Sequence, residues 1–220
     1  YTEYRVQPSE YPEMDPNRIF DYATNVLSPT ADLAGNATYD NLRIPAGTNP
    51  NFTGHPTLRG VVMIETPNVV KFSGGVDVTG IIVTNGDSAI DPDPTDSAAP
   101  QITFGGNVNS YPISQLPQLP QFEGLHDQTG TFMLAPGFST SFGGSFSTLS
   151  GVIAANGISM SGNTGGVING SIINYSRNSM MLTGNGNLYF NRSGLTQVPA
   201  GFVPRIIVRY EPSAYCEVVL

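Results

Sequence analysis

Four aspartates in one short loop are the chain's clearest candidates for ligand chemistry. Asp87, Asp91, Asp93 and Asp96 lie within ten residues of one another. Carboxylates at alternating positions can converge on Ca²⁺, which takes about six to eight hard oxygen ligands. The stretch lacks the glycine and terminal glutamate of an EF-hand loop, and Asp91-Pro92-Asp93-Pro94 is stiff. It therefore reads first as a solvated, solubilising loop, with Ca²⁺ the one cofactor its chemistry admits. His55 and His126 are the only histidines, 71 residues apart, and neither has a His or Cys at metal-ligand spacing. His126-Asp127 are neighbours in sequence, which does not make a catalytic arrangement. No serine sits in a Gly-x-Ser-x-Gly elbow, since Gly143-Gly144-Ser145-Phe146 fails at the last glycine. Arg59, Lys71, Arg177 and Arg192 are scattered, and no Asp-Asp or Gly-His-Gly phrase occurs. Glycosidic cleavage needs a positioned acid and base, and β-elimination a base beside a stabilising cation. The sequence assigns neither, so no catalytic and no cofactor-binding residue is named.

Whatever these residues do depends on the elements that hold them. Gly80-Ile81-Ile82-Val83-Thr84-Asn85-Gly86 returns 71 residues later as Gly151-Val152-Ile153-Ala154-Ala155-Asn156-Gly157. Looser copies stand about 20 residues outside each, at Gly60-Val61-Val62-Met63-Ile64 and Gly170-Ser171-Ile172-Ile173-Asn174. A near-constant period of this length predicts a coiled solenoid. Each coil must turn sharply without a crossover helix, so its corners need Gly and Asn, which tolerate positive φ. Phe72-Ser73-Gly74-Gly75, Phe142-Gly143-Gly144, Met160-Ser161-Gly162-Asn163 and Leu182-Thr183-Gly184-Asn185 are equivalent phrases, each an apolar residue running into a glycine corner. Gln101-Ile102-Thr103-Phe104-Gly105-Gly106-Asn107 resembles them. The apolar runs at 61–64, 81–83, 152–155 and 172–173 are expected to stack inside.

The expected fold is all-β: a right-handed parallel β-helix over residues 1–220 as one domain, with one short N-terminal capping α-helix. That helix is predicted over 15–27, from Asp15-Pro16 as N-cap and first-turn proline and from Ile19, Phe20, Ala23, Val26 and Leu27 at helical spacing. Repeat coils are predicted over 58–86 and 138–192, with a strand at 37–44. Residues 87–137, with three prolines between Tyr111 and Phe122, read as an excursion along the side of the coil. Strands at 205–210 and 215–220 are expected to close the last turn or return along the body. Cys216 there reads as a small buried hydrophobe. Tyr1, Tyr4, Tyr11 and Tyr22 read as packing between cap and coil, or as stacking platforms for sugars.

Composition sets further limits. Nine basic against 17 acidic side chains leave a net charge of −8, with a single lysine. Such a chain has no electrostatic footprint for nucleic acid or anionic membranes. No apolar run is long enough to span a bilayer. One cysteine allows no internal disulfide, and a chain opening at Tyr1 reads as processed or trimmed. The sequons at Asn36, Asn51, Asn169, Asn174 and Asn191 are the turn chemistry of an Asn-, Ser- and Thr-rich chain.

Residues 149–188 resemble the passenger domains of PilX-type bacterial pilus-assembly proteins. Ser150-Gly151-Val152-Ile153-Ala154-Ala155-Asn156-Gly157, Ile158-Ser159-Met160-Ser161-Gly162-Asn163 and Ile168-Asn169-Gly170-Ser171-Ile172-Ile173 carry the likeness, which is similar in kind to bactofilin-like polymers. The resemblance implies an exported right-handed β-helix behind a membrane-anchored, pilin-like segment, and lends no catalytic residues. The expectation is a non-enzymatic, secreted structural or adhesive protein of the cell surface or envelope. Its partners would be other envelope or pilus proteins, or surface glycans, and not nucleic acid. The competing expectations are a carbohydrate-active β-helix enzyme, lyase or glycoside hydrolase, and a glycan-binding β-helix. An ice-binding ladder is disfavoured because Thr79, Thr84 and Thr183 fall at unlike positions in the repeats.

Overall fold

A computed structural model describes residues 11–93, 95–146, 148–193 and 197–204. The chain winds as a β-solenoid of about eight turns, its strands stacked in parallel sheets, with one short α-helix. Three walls enclose the core. The first stacks Asn25–Val26, Leu42–Ile44, Thr57–Ile64, Val76–Thr84, Thr131–Ala135, Val152–Ala155 and Ile172–Asn174 in that order. The second stacks Asn51–Phe52, Val69–Phe72, Gln101–Phe104, Ser139–Phe142, Ile158–Met160 and Met181–Leu182. In the third, Thr38–Asp40 pairs with residues 57–59, these with 77–79, and 76–79 with Val108–Tyr111. A bridge from Val108 to Phe146 leads on to Thr148–Ser150, Gly166–Asn169 and Leu188–Phe190.

Two long strands bend from the third wall into the first, and glycine makes the bend. Gly60 has φ +81°, and a Cβ on Gly80 would lie 1.8 Å from the Gly60 carbonyl oxygen one turn below. An L-side chain is excluded there by contact as much as by φ. Inside, side chains stack in register. Phe52, Phe72, Phe104 and Phe142 form a ladder with ring centroids 5.0, 5.2 and 4.9 Å apart, continued by Met160 and Leu182. Each stacked pair contributes about 0.5–1.5 kcal/mol beyond its area. The four glycine-corner phrases of the sequence thus occupy one column.

The apolar runs of the first wall are buried on both faces. Val62, Ile82, Met133 and Ile153 point into the coil. Met63, Val83, Leu134 and Ala154 point outward, into a second cluster with Ile19, Ala23, Ile113, Leu116, Phe122, Leu125 and Phe202. A parallel sheet covered on both sides needs unbroken apolar strands, which is why these runs do not alternate.

Several expectations change in detail. The α-helix is one turn, Asn17–Phe20, and its buried Ile19 covers the side of the first wall. Residues 25–26, expected as its second half, are strand: Asn25 N–H donates to the Asn41 carbonyl and Leu27 N–H to that of Arg43. A ladder partner outweighs the weak helix propensity of Thr24, Asn25 and Val26. The strand expected at 37–44 is split by Asn41 at φ +46°. Residues 87–137 are not one excursion, for they contain strands in all three walls, separated by loops at 85–100 and 112–130. The second loop lays Ile113, Leu116, Phe122 and Leu125 along the first wall, all buried. The strands expected at 205–210 and 215–220, with Cys216, Tyr1 and Tyr4, lie outside the described residues.

Candidate functional site

The coil brings together two residues that are 22 apart in sequence. His55 precedes Thr57–Ile64, and Asp77 faces outward on the next turn, where Thr57, Asp77 and Asn109 are in register. His55 Nε2 lies 3.1 Å from Asp77 Oδ1, and Asn109 Nδ2 donates to the same oxygen at 2.7 Å. The His55 main-chain N–H donates to Asn36 Oδ1 at 3.1 Å, fixing the loop that carries the ring. Gly75 leaves room for the imidazole, since a Cβ there would meet Nδ1 at 2.5 Å. The His55 and Asp77 side chains are 43% and 31% exposed. This is a histidine oriented by a carboxylate, the supporting half of an acid–base device. The Nδ1–Cε1 edge, which would have to meet a substrate, faces Gly75. The repeat period was the signal for this pair, because a step of about one turn carries residue 55 over residue 75.

One column along the same wall, Arg59 Nε and Nη2 donate to Asp40 at 2.6 and 2.8 Å, and the guanidinium lies 5.8 Å from the Phe122 ring centre. The Asp40 hydrogen bond raises the Arg59 pKa against the opposing effect of burial. Arg43 pairs with Glu65, which also accepts the Ala46 N–H; Arg43 chiefly holds the Glu65 carboxyl below its ordinary range. Both pairs bridge adjacent turns, as structural ion pairs do.

The four aspartates of the acidic loop do not converge. Asp87, Asp93 and Asp96 each accept an N–H two residues on, from Ala89, Thr95 and Ala98, at 2.8 Å. Asp93 also accepts from Thr95 Oγ1, which chiefly keeps its carboxyl low. Asp91 turns inward and accepts from the Arg177 N–H and Asn156 Nδ2, both at 3.0 Å. Those bonds, the Arg177 N–H first, lower its pKa. Asp91 thereby ties the loop to two later turns. Among the described residues no group of three or more His, Cys, Asp and Glu is arranged to hold a metal ion. His126 Nδ1 is buried and unpartnered among the described residues.

Tyr11 packs against Tyr175 with ring centres 5.2 Å apart, and burial chiefly pushes the Tyr175 hydroxyl up to about 12. Tyr22 packs on the lateral cluster. Sequon residues Asn36, Asn51 and Asn174 hold their neighbours by side-chain hydrogen bonds. A cleft of about 1110 Å³ opens at the last turn, between Ile172, Phe190, Arg192, Val198 and Phe202 on one side and residues 11–13 on the other. It is mainly apolar, and of the candidate residues it holds Tyr11 and Arg192 without a carboxylate from the acidic loop or either histidine. No described helix is long and apolar enough to cross a membrane. No protein-family profile matches the chain, and no curated protein or solved structure is significantly similar to it.

Proposed function

We propose that the protein is a non-enzymatic, exported structural or adhesive β-solenoid of a cell envelope or pilus-like apparatus. The observation that carries this reading is how the ionisable side chains are used. Arg59 holds Asp40, Arg43 holds Glu65, Asn109 and His55 hold Asp77, and Asp91 holds a loop. Each of these four carboxylates joins one turn or loop to another, which lends rigidity to a repeat coil. The PilX-type resemblance of residues 149–188 supports a place among envelope proteins, with other envelope proteins or surface glycans as partners.

The second reading, a carbohydrate-active β-helix enzyme, draws its support from His55 and Asp77. It is tested by incubating the full chain with pectin, alginate and chondroitin between about pH 4 and 9, with and without Ca²⁺. The structural reading expects no new reducing ends and no unsaturated products. Release of either, abolished by Asp77→Asn, would replace it with the enzyme. Binding of the intact polymers without cleavage would favour the glycan-binding form of the first reading.

A further inference from the structure

Among the described residues, the last turn of the solenoid leaves its core open. The inward columns Met133–Ile153–Ile172, Phe142–Met160–Leu182 and Leu149–Ile168–Phe190 end on residues with nothing described beyond them. Leu182 and Phe190 are each 52% exposed, although their column mates are buried. Met181 and Val198 add to the apolar surface. The opposite end is different: Leu27 is buried there, and Ala31, Leu33 and Tyr39 pack over the core.

We propose that this end is an interface between two copies of the chain, joined last turn to last turn about a twofold axis. Two properties of the surface choose that occupant. Among the described residues, Ile172–Asn174, Met181–Leu182 and Leu188–Phe190 each have one unpaired edge of backbone N–H and C=O groups. A bilayer cannot satisfy those groups, whereas another strand edge can. The second property is charge. Between Asp127 and Glu211 there is no Asp or Glu, and residues 128–204 carry only Arg177 and Arg192. Two copies at −8 each repel, and meeting at this end keeps their acidic halves farthest apart. The cleft rim bears one charge of each sign, Glu13 and Arg192, the self-complementary pattern of an isologous contact. Because the first turn is covered, the assembly closes at two.

The test is light scattering on the full chain during size exclusion at micromolar concentration, paired with hydrogen exchange. The expected mass is twice 23.3 kDa, with the amides of 172–174, 181–182 and 188–190 protected. Leu182→Glu should weaken association at least about a hundredfold, because a carboxylate is costly to bury unpaired, while leaving the circular dichroism unchanged. If that variant fails to fold, Tyr189→Glu, at a position 64% exposed, should give the same loss. A 23.3 kDa species at every concentration would overturn the proposal, whether its last-turn amides exchange freely or are protected by the chain itself. So would a dimer that both substitutions leave intact, or a monomer that sediments with phosphatidylglycerol vesicles.

Discussion

Gly105 and Gly106 are adjacent, yet alanine should affect them very differently. A Cβ on Gly106 would stand 2.1 Å from the Gly74 carbonyl oxygen and 2.3 Å from its carbon, one turn below. A Cβ on Gly105 would find its nearest atoms, Phe72 O and Ser73 Cα, at 3.6 Å, an ordinary contact. Neither glycine lies in the left-handed φ region, so the contrast is one of contact alone. Relieving the Gly106 clash requires the turns to part locally by roughly 1 Å. The neighbouring Gly105 N–H to Phe72 O hydrogen bond, now 2.9 Å, would then stretch beyond bonding range. Overpacking costs about 1–3 kcal/mol, and losing the hydrogen bond of the exposed Gly105 about 0.5–1.5 more. Gly106→Ala should therefore destabilise by about 2–4 kcal/mol. Gly105→Ala should stay within about 0.5 kcal/mol of wild type, or gain slightly through its stiffer unfolded chain. Gly143 and Gly144 repeat the contrast, with nearest atoms at 3.7 and 2.0 Å. Urea unfolding followed by circular dichroism measures both pairs. Equal losses at the two members of a pair would refute the stacked-corner account.

Phe104 sits in the middle of the ring ladder, so Phe104→Ala should cost about 3–5 kcal/mol in the same assay; a loss below 1 kcal/mol would mean the ladder does not bear on stability. Asp91→Ala should cost about 1 kcal/mol, since it removes two bonds to later turns, and Asp93→Ala should be nearly silent. Millimolar Ca²⁺ should leave the melting temperature unchanged, and a rise abolished by Asp91→Asn and Asp93→Asn would establish a calcium site instead. Asp91 and Glu65 have lowered folded-state pKa values, so their contribution is complete above the ordinary values of 3.8 and 4.5 and is lost as pH falls below them. The urea midpoint should drop on acidification through that range, and less steeply in Glu65→Gln.

The fold was legible because a solenoid writes its period into the chain. Gly80–Gly86 and Gly151–Gly157 each hold a first-wall strand and the Asn-Gly corner that leaves it, and the apolar residue before each glycine corner lands in one ladder. What hid was the lateral layer. Nothing in the run at 61–64 says that Val61 and Met63 are covered from outside, because the covering residues Ile113, Phe122 and Leu125 lie 50 or more positions away in a proline-rich loop. The helix is shorter than its apolar spacing predicts for the same reason. Its apolar spacing through Leu27 is real, but Leu27 is buried as part of the first turn and not on a helix face. At the site, period alone relates His55 to residue 75. The final step to Asp77 needs the ring's orientation, which only the folded corner supplies.

The lateral layer also bears on function. It covers the first wall, and the outward residues of the other two include short polar ones: Thr103, Ser141 and Ser159 in a column with Lys71 and Met181 on one, Asp77 and Asn109 on the other. On such a wall, side chains from successive turns stand about 4.8 Å apart, so neighbours satisfy one another, as Ser141 and Thr103 do at 3.3 Å. A catalytic site would need the wall to hold such groups apart around a cavity. The His55–Asp77–Asn109 row closes onto itself, and the cleft that does open is lined chiefly by apolar side chains at the last turn. With polar flank groups paired to one another and, among the described residues, an open apolar last turn, the coil is suited to the end-to-end contact proposed above.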